Sequence, residues 1–348
     1  MDDFIRTCCY YRNKSPLCQV YFCKACIFIS LLFHQVRDIL QHIFFGEGTM
    51  VKVLDSKQNF LGIEKQYSTF ETSKVVVLPV PYERTVSYGG GTKKGPDAIL
   101  KASHYVEFFD EETKREIYKE HGIATLPPLI LEKKKDEAAL QLMYDTVLHM
   151  VEQQKFVVTL GGEHTISSAV IAAHAKLYPN LSVLHFDAHS DLRPEYMGNK
   201  YSHASVMARV CEFLDPNRLV QVGIRAQCKE EAEFIRDHGI HTFYAHEIHQ
   251  GSYTRILKYW DDFVIENLTD DVYISFDVDA FDPSLMPATG TPEPNGLLWN
   301  EVMQCIRRVA RKRHVVGFDV VELAPIKLLP HADVTTAKLV SKILNYAL

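Results

Sequence analysis

The sequence predicts an α/β fold, in which β-strands alternate with α-helices along the chain. Runs rich in β-branched residues recur from residue 74 onward, and each has the length of a strand. Segments with apolar residues at helical spacing separate them, and glycine and proline mark the turns. In addition, acidic residues and histidines follow several of these runs, where open parallel sheets build their sites. The 348 residues, 47% of them hydrophobic, are enough for a large core.

Composition narrows the class of function. The formal net charge of -6 gives no basic surface for nucleic acid, so we expect a small-molecule substrate and no nucleic-acid partner. The apolar run at residues 26–33 is too short to span a bilayer, and we expect no membrane association. Three cysteines after residue 50, Cys211, Cys228 and Cys305, suggest a reduced, cytoplasmic protein.

The first 49 residues differ from the rest of the chain. Five of the eight cysteines fall within the first 26 positions, mixed with aromatic residues. We interpret residues 1–49 as an extension outside the fold, with Met50 as a possible true initiator, and residues 50–348 as a single domain.

The elements follow in order from residue 74. Strands are predicted at residues 74–81, 155–160, 181–186, 219–224, 241–244, 271–279 and 314–322. Helices are predicted at residues 96–103, 133–154, from about 165, 299–311 and from about 334 to 347. The glycine-rich loop at residues 87–92 matches neither a Walker loop nor a dinucleotide fingerprint, so a substrate-access loop is the better interpretation.

The most informative stretch is Asp187-Ala188-His189-Ser190-Asp191, directly after the apolar run 181–186. On an extended backbone, side chains at alternate positions point to one side, so Asp187, His189 and Asp191 can converge. Carboxylates held that close beside an apolar strand repel one another unless a cation neutralises them. Taken alone, the motif could also be a polar loop with a capping Asp and a solvated His.

The pattern recurs at other strand ends. His164 follows a Gly-Gly turn at the end of one predicted strand, and Asp277 and Asp279 end another. Together with the first stretch, this gives two histidines and four aspartates. Oxygen-rich ligation with some imidazole suits Mn²⁺ better than a thiolate-seeking metal. The sequence therefore predicts a site for two metal ions that share ligands, with helix caps and turn residues as the alternative.

Four motifs resemble the arginase-agmatinase (ureohydrolase) family. They are residues 161–164 (Gly-Gly-Glu-His), 187–191 (Asp-Ala-His-Ser-Asp), 275–283 (Ser-Phe-Asp-Val-Asp-Ala-Phe-Asp-Pro) and 318–322 (Phe-Asp-Val-Val-Glu). The resemblance runs from about residue 74 to the end. It implies a three-layer α/β/α fold around a central, mostly parallel eight-stranded sheet, two Mn²⁺ per subunit, and a homo-oligomer, trimeric or hexameric.

The resemblance also implies a role for each site residue. One metal would take His164, Asp187, Asp191 and Asp277, and the other His189, Asp187, Asp277 and Asp279. Glu322 would pair with the guanidinium of the substrate. Asp191 would accept a proton from the nucleophile, and His203 would exchange protons with solvent and contact the substrate.

Within the family, residues 201–205, 222–225 and 289–294 are more similar to agmatinases, which convert agmatine to putrescine and urea, than to arginases. Arg193 would suit a carboxylate substrate such as 4-guanidinobutyrate, or else it is a structural arginine paired with an acid such as Glu195. The alternatives are therefore a guanidinobutyrase or an arginase. A different class is a non-catalytic, metal-binding paralogue that acts as a regulatory subunit, although Asp191, His203 and Glu322 argue against it.

Overall fold

Eight parallel strands form a single sheet in this computed structural model, which describes residues 51–252 and 259–348. The strands are β1 (Val75–Val80), β2 (Ile123–Thr125), β3 (Phe156–Gly161), β4 (Ser182–Phe186), β5 (Leu219–Ile224), β6 (His241–Tyr244), β7 (Asp271–Asp277) and β8 (His314–Val321). Their order across the sheet is β2-β1-β3-β8-β7-β4-β5-β6. β8 therefore lies in the middle of the sheet, although it is the last of these strands along the chain.

The strands form where the sequence concentrates valine, isoleucine and leucine. β1, β3, β4 and β5 are buried along their whole length, as expected for a parallel sheet that is covered on both faces. The helices are α1 (Gly95–Ser103), α2 (Ile117–His121), α3 (Asp136–Glu152), α4 (Ser167–Leu177), α5 (Val206–Val210), α6 (Lys229–His238), α7 (Ala245–His249), α8 (Trp260–Glu266), α9 (Trp299–Lys312) and α10 (His331–Ala347).

The helices pack in two groups. In one, α3 packs against α4, and in the other, α1 and α9 both pack against the long helix α10. The three-layer α/β/α fold and the eight-stranded sheet are thus confirmed, and every pair of neighbouring strands is parallel. Lys52–Leu348 forms one compact unit. The extension predicted for residues 1–49, with its cysteines and its apolar run, lies outside the described residues.

Some elements were not predicted from the sequence. β2 is only three residues long and follows Gly122, whose φ of 64° ends the short helix α2. Helix α6 buries only Glu231 and Ile235, so it shows no broad apolar stripe to recognise. No helix among the described residues combines the length and the apolar character needed to cross a membrane.

Candidate metal centre and cavity

Four neighbouring strands deliver most of the residues predicted for the site. These are His164 after β3, Asp187, His189 and Asp191 after β4, Asp277 and Asp279 at the end of β7, and Glu322 after β8. Because β3, β8, β7 and β4 lie side by side and run parallel, their carboxyl ends meet at one edge of the sheet. The predicted residues therefore converge, although they are separated by more than 150 positions along the chain.

The first group of side chains surrounds Nδ1 of His164. This nitrogen lies 3.1 Å from Oδ2 of Asp187, 3.2 Å from Oδ2 of Asp191 and 3.4 Å from Oδ2 of Asp277. All four residues are buried. Three carboxylates that face one imidazole nitrogen in a buried pocket form an oxygen-rich donor set.

The second group lies around His189. Its Nδ1 is 3.0 Å from Oδ2 of Asp279 and 3.5 Å from Oδ1 of Asp187. Asp187 thus turns one oxygen to each group. The backbone holds these carboxylates in place, because the N–H of Ala188 donates to Oδ1 of Asp279 over 2.9 Å. The N–H of Asp279 donates in turn to Oδ1 of Asp277 over 2.8 Å.

Nδ1 of His164 is a direct indication that this donor set suits a cation. It is buried and makes no hydrogen bond among the described residues, despite the three oxygens around it. The other ring nitrogen, Nε2, is 3.0 Å from Oγ of Ser275. A buried polar atom without a hydrogen-bond partner is costly, and a metal ion placed among the oxygens would satisfy it. The residues present therefore fit a metal centre.

The electrostatics agree with this interpretation. Burial and the charge of Asp187 raise the pKa of Asp191 to about 7. Burial, together with Asp279 and Asp187, raises the pKa of Asp277 well above its usual range. Burial lowers the pKa of His189, but Asp279 and Asp187 outweigh it and raise the pKa to about 12. The two groups therefore concentrate negative charge that a cation would neutralise.

A row of polar side chains crosses the sheet next to the two groups. It consists of Thr159, Asp319, Ser275, His185, Gln221 and Thr242, which are neighbours in register on β3, β8, β7, β4, β5 and β6. All of them except Thr242 are fully buried. We refer to these six residues as the polar row. Sequence analysis did not identify it, because the row exists only once the strands are in register.

His185 connects the polar row to Asp187. Nε2 of Gln221 donates to Nδ1 of His185 over 3.0 Å, so the proton of this imidazole is on Nε2. That Nε2–H donates to Oδ2 of Asp187 over 2.8 Å. Burial lowers the pKa of His185, in keeping with a neutral ring. His185 could sit among metal ligands by distance alone, but both its nitrogens are already occupied.

A cavity of about 410 Å³ opens over the two groups. Ser87, Tyr88 and Gly89 line it, which places the glycine-rich loop beside the site, as expected for an access loop. Glu322 and His203 also line it. Oε1 of Glu322 accepts a hydrogen bond from the N–H of His164 over 2.6 Å, while its Oε2 accepts none from the described residues.

His203 is held by two hydroxyl groups. Its Nδ1 is 3.0 Å from Oγ1 of Thr85, and its Nε2 is 2.7 Å from Oγ of Ser87. The hydroxyl of Thr85 donates to Glu163 and so accepts from His203, which puts the ring proton on Nδ1. Burial, and the neighbouring His164 and His189, lower the pKa of His203 to about 4. Its Nε2 is therefore a hydrogen-bond acceptor at neutral pH.

Arg193 lines the cavity as well, but an acid compensates its charge. Its Nε is 3.8 Å from Oε2 of Glu231, and its guanidinium lies over the ring of Tyr196 at 5.4 Å. The acid paired with Arg193 is thus Glu231 of α6, rather than Glu195 as the sequence suggested. Glu231 is itself buried and also accepts hydrogen bonds from the N–H groups of Leu192 and Cys228.

Two residues of the site have a left-handed backbone. Asp191 has a φ of 53° and Glu322 a φ of 65°, backbone angles that residues other than glycine rarely adopt. Asp191 is held there because its carbonyl accepts hydrogen bonds from the N–H groups of Met207 and Ala208. Glu322 donates its own N–H to the carbonyl of Gly162. Local strain of this kind often marks functional sites.

Comparison with known proteins agrees with the geometry. A sequence model of the arginase family matches residues 73–348. The N(1)-aminopropylagmatine ureohydrolase of Thermus thermophilus is 40% identical over 271 residues, which cover 78% of this chain and 89% of that protein. The protein of the same name from Synechocystis is 37% identical over 284 residues, which cover 80% and 90%.

Comparison with solved structures also finds a ureohydrolase. The agmatine ureohydrolase of Thermoplasma volcanium is 31% identical and superposes with a TM-score of 0.72 over 80% of this chain and 92% of that one. The predicted resemblance is confirmed. This chain belongs to the arginase family and is a metal-dependent hydrolase that acts on guanidino C–N bonds.

Proposed function

We propose that this protein hydrolyses a cationic alkylguanidine with two Mn²⁺ ions, and that agmatine is its substrate, giving putrescine and urea. The observation that supports this most is the convergence of two histidines and four aspartates beside Glu322. Such a set has no use in packing, and it matches the needs of a reaction in which water attacks a poor electrophile.

The chain's own residues define where the ions would lie. His164, Asp187, Asp191 and Asp277 would hold one ion, and His189, Asp187, Asp277 and Asp279 the other. The contacts of Asp187 with both histidines support its role as a shared ligand. Four carboxylates and two imidazoles favour Mn²⁺ over thiolate-seeking metals. Two such ions, when bound, supply an activated water as the nucleophile.

Glu322 orients the substrate. Its side chain lines the cavity; one of its oxygens is fixed by the N–H of His164, and the other accepts no hydrogen bond from the described residues. A guanidinium can donate to that oxygen through a charge-assisted hydrogen bond. This bond would hold the guanidinium carbon over the ligands and in line for attack.

Asp191 and His203 manage the protons. Asp191 accepts one proton from the attacking water and passes it to the alkyl nitrogen as the C–N bond breaks. The second proton of the water leaves the new hydroxyl group as the C=O bond of urea forms and is taken up by the amine, so the products are urea and a protonated amine. His203 lines the cavity with Nε2 as a hydrogen-bond acceptor, so it can relay this second proton.

The charge of the cavity favours a substrate with an amine at its far end. Arg193 is paired with Glu231, so its positive charge is partly compensated and attracts a substrate carboxylate less strongly. Glu293 also lines the cavity, with a side chain that is 40% exposed and 4.0 Å from Nε2 of His189. A partly exposed carboxylate in the cavity wall suits an ammonium group, which argues against arginine and 4-guanidinobutyrate.

N(1)-aminopropylagmatine is a second candidate substrate. Two relatives that are 37% and 40% identical to this chain are named for that compound. It carries the same guanidinium as agmatine and one further amine on a longer tail. Tyr88, which is 88% exposed, lies at the edge of the cavity, where a longer tail would reach solvent.

Urea release tests the proposal. The Mn²⁺-loaded protein is incubated with agmatine, N(1)-aminopropylagmatine, arginine, 4-guanidinobutyrate and 3-guanidinopropionate. We expect the two amine-bearing compounds to have the highest kcat/KM, and Glu293→Gln to raise their KM. Release of urea from none of the five compounds would favour a non-catalytic subunit, whereas a preference for a carboxylate compound would overturn the assigned substrate.

We also propose that the protein is a cytoplasmic homo-oligomer, a trimer or a hexamer. Support for the location comes from Cys211, Cys228 and Cys305, which are all free thiols. The oligomeric state rests on family resemblance alone. Light scattering of the purified protein would measure it, and a monomer would contradict the proposal.

A further inference from the structure

Asp319 is a buried carboxylate that the proposed mechanism does not use. It lies in the middle of the sheet, on β8, with no exposed surface. Its Oδ1 accepts a hydrogen bond from Oγ of Ser275 over 2.9 Å, and its Oδ2 accepts none from the described residues. Burial raises its pKa. A carboxylate in such a place destabilises a fold, which calls for a physical reason for its presence.

Its position in register gives the first part of that reason. Asp319 is the neighbour of Ser275 across β8 and β7. Ser275 lies two residues before Asp277 on β7, so the two side chains point to the same face. Asp319 therefore reaches the metal centre through one intermediate, the hydroxyl group of Ser275.

The direction of the hydrogen bonds gives the second part. The Ser275 hydroxyl donates to Oδ1 of Asp319, so its single proton points to Asp319. Ser275 must then accept from Nε2 of His164, which lies 3.0 Å away. The proton of the His164 ring is therefore on Nε2, and Nδ1 presents a lone pair to the carboxylates around it.

We propose that Asp319 is a positioning residue for metal binding. Acting through Ser275, it fixes His164 in the tautomer whose bare Nδ1 faces the metal site. The proposal rests on the proposed function for the presence of the two ions, and it adds a residue that touches neither an ion nor the substrate. Partners of this kind orient a metal-bound histidine and make it more basic.

The proposal predicts an effect at only one of the two ions. His164 belongs to the first group, whereas His189 has no contact with Ser275 or Asp319 among the described residues. Loss of the hydrogen bonds from His164 to Ser275 and Asp319 should therefore weaken the binding of one ion and leave the binding of the other unchanged. A purely structural role for the pair would instead lower the stability of the metal-free protein and weaken both sites together.

Calorimetric titration of the metal-free protein with Mn²⁺ measures this directly. For Ser275→Ala, we expect one of the two binding steps to weaken about 10- to 100-fold and the other to stay unchanged. Asp319→Asn should weaken the same step, because an amide can both donate and accept and no longer fixes the direction of the Ser275 hydroxyl. Ser275→Thr retains a hydroxyl and should restore much of the affinity.

Ser182→Ala is the matched control. Ser182 is a buried serine that makes hydrogen bonds to Thr269 at the other end of β4, far from the ligands. The Ser182→Ala variant should bind both ions with the affinities of the wild type. Two tight steps in Ser275→Ala, or equal weakening of both, would overturn the proposal. Since binding is measured without substrate, a wild type that binds two ions but releases no urea contradicts the proposed function only.

Discussion

Nε2 of His185 donates a hydrogen bond to Oδ2 of Asp187, the carboxylate that faces both histidines of the metal centre. His185 is fully buried, and Gln221 holds its other nitrogen. Because Asp187 turns one oxygen to each group, its orientation should matter for both ions. In this respect His185 differs from Ser275, which contacts one of the two histidines, His164, and not the other among the described residues.

We therefore expect His185→Leu to weaken the binding of both Mn²⁺ ions, each by about 10- to 100-fold. Titration with Mn²⁺ would measure the two affinities. His238→Leu is the control, because His238 lies exposed at the end of α6 and does not line the cavity. Unchanged affinity in His185→Leu would show that the hydrogen bond to Asp187 has no role in metal binding.

Asp279 and Glu322 should separate metal binding from substrate binding. Asp279→Ala removes the carboxylate closest to Nδ1 of His189, so it should bind fewer ions and lose activity. Glu322→Ala should keep both ions, yet lose at least 100-fold in kcat/KM, because the guanidinium is no longer oriented. Metal content by mass spectrometry and urea release measure the two effects. Full activity in either variant would contradict the assigned role.

The burial of His174 predicts how the free energy of unfolding depends on pH. It is buried on α4, with Nδ1–H donating to the carbonyl of Val170 over 2.8 Å, and burial lowers its pKa to about 4. The unfolded chain, with a histidine pKa near 6.5, binds more protons below that value than the folded protein does. This contribution to stability is therefore present above pH 6.5 and is lost as the pH falls toward 4.

Between pH 7 and pH 5, His174 should cost the metal-free wild type roughly 2 kcal/mol of unfolding free energy. Urea denaturation of the wild type and of His174→Leu at the two pH values would measure it. The variant should show a smaller loss by that amount. Equal losses in both proteins would mean that His174 is not held neutral by its burial.

Gly162 precedes Glu163 and the ligand His164 at the end of β3. A Cβ at Gly162 would lie 2.0 Å from the carbonyl oxygen of Tyr82, which is backbone and cannot move aside easily. Gly162→Ala should therefore shift the turn and lower Tm. It should also weaken the binding of the ion that His164 would hold. Gly90→Ala is the control, because its nearest contact would be 3.5 Å away, at a Glu83 side chain. A wild-type Tm in Gly162→Ala would contradict the expected clash.

The sequence was most informative at the strand ends. The alternation of side chains on an extended backbone predicted that Asp187 lies beside His189 and Asp277 beside Asp279. These are local relationships, fixed by a few consecutive residues. In the structure Asp279 lies in the 3₁₀ turn Val278–Ala280, directly after β7. The structure brings all of the predicted ligands to one edge of the sheet, as the resemblance implied.

The polar row could not be found in the same way. It depends on register between β8 and β7, or between β4 and β5, and these strands are far apart in the chain. A polar residue inside an apolar strand, such as Asp319 among the valines of β8, was the available signal. The backbone of Asp191 is equally hidden, because its φ of 53° is set by tertiary hydrogen bonds rather than by local preference.

The central position of β8 in the sheet constrains how the protein folds during its synthesis. Until residues 314–321 have left the ribosome, the strands β2-β1-β3 and β7-β4-β5-β6 have nothing to join them. His164 belongs to the first set, and Asp187 and Asp277 to the second, so the ligands cannot assemble earlier. The nascent chain must keep two open sheet edges apart, a state that is prone to aggregation. Loading of the ions is therefore expected to follow translation of nearly the whole chain.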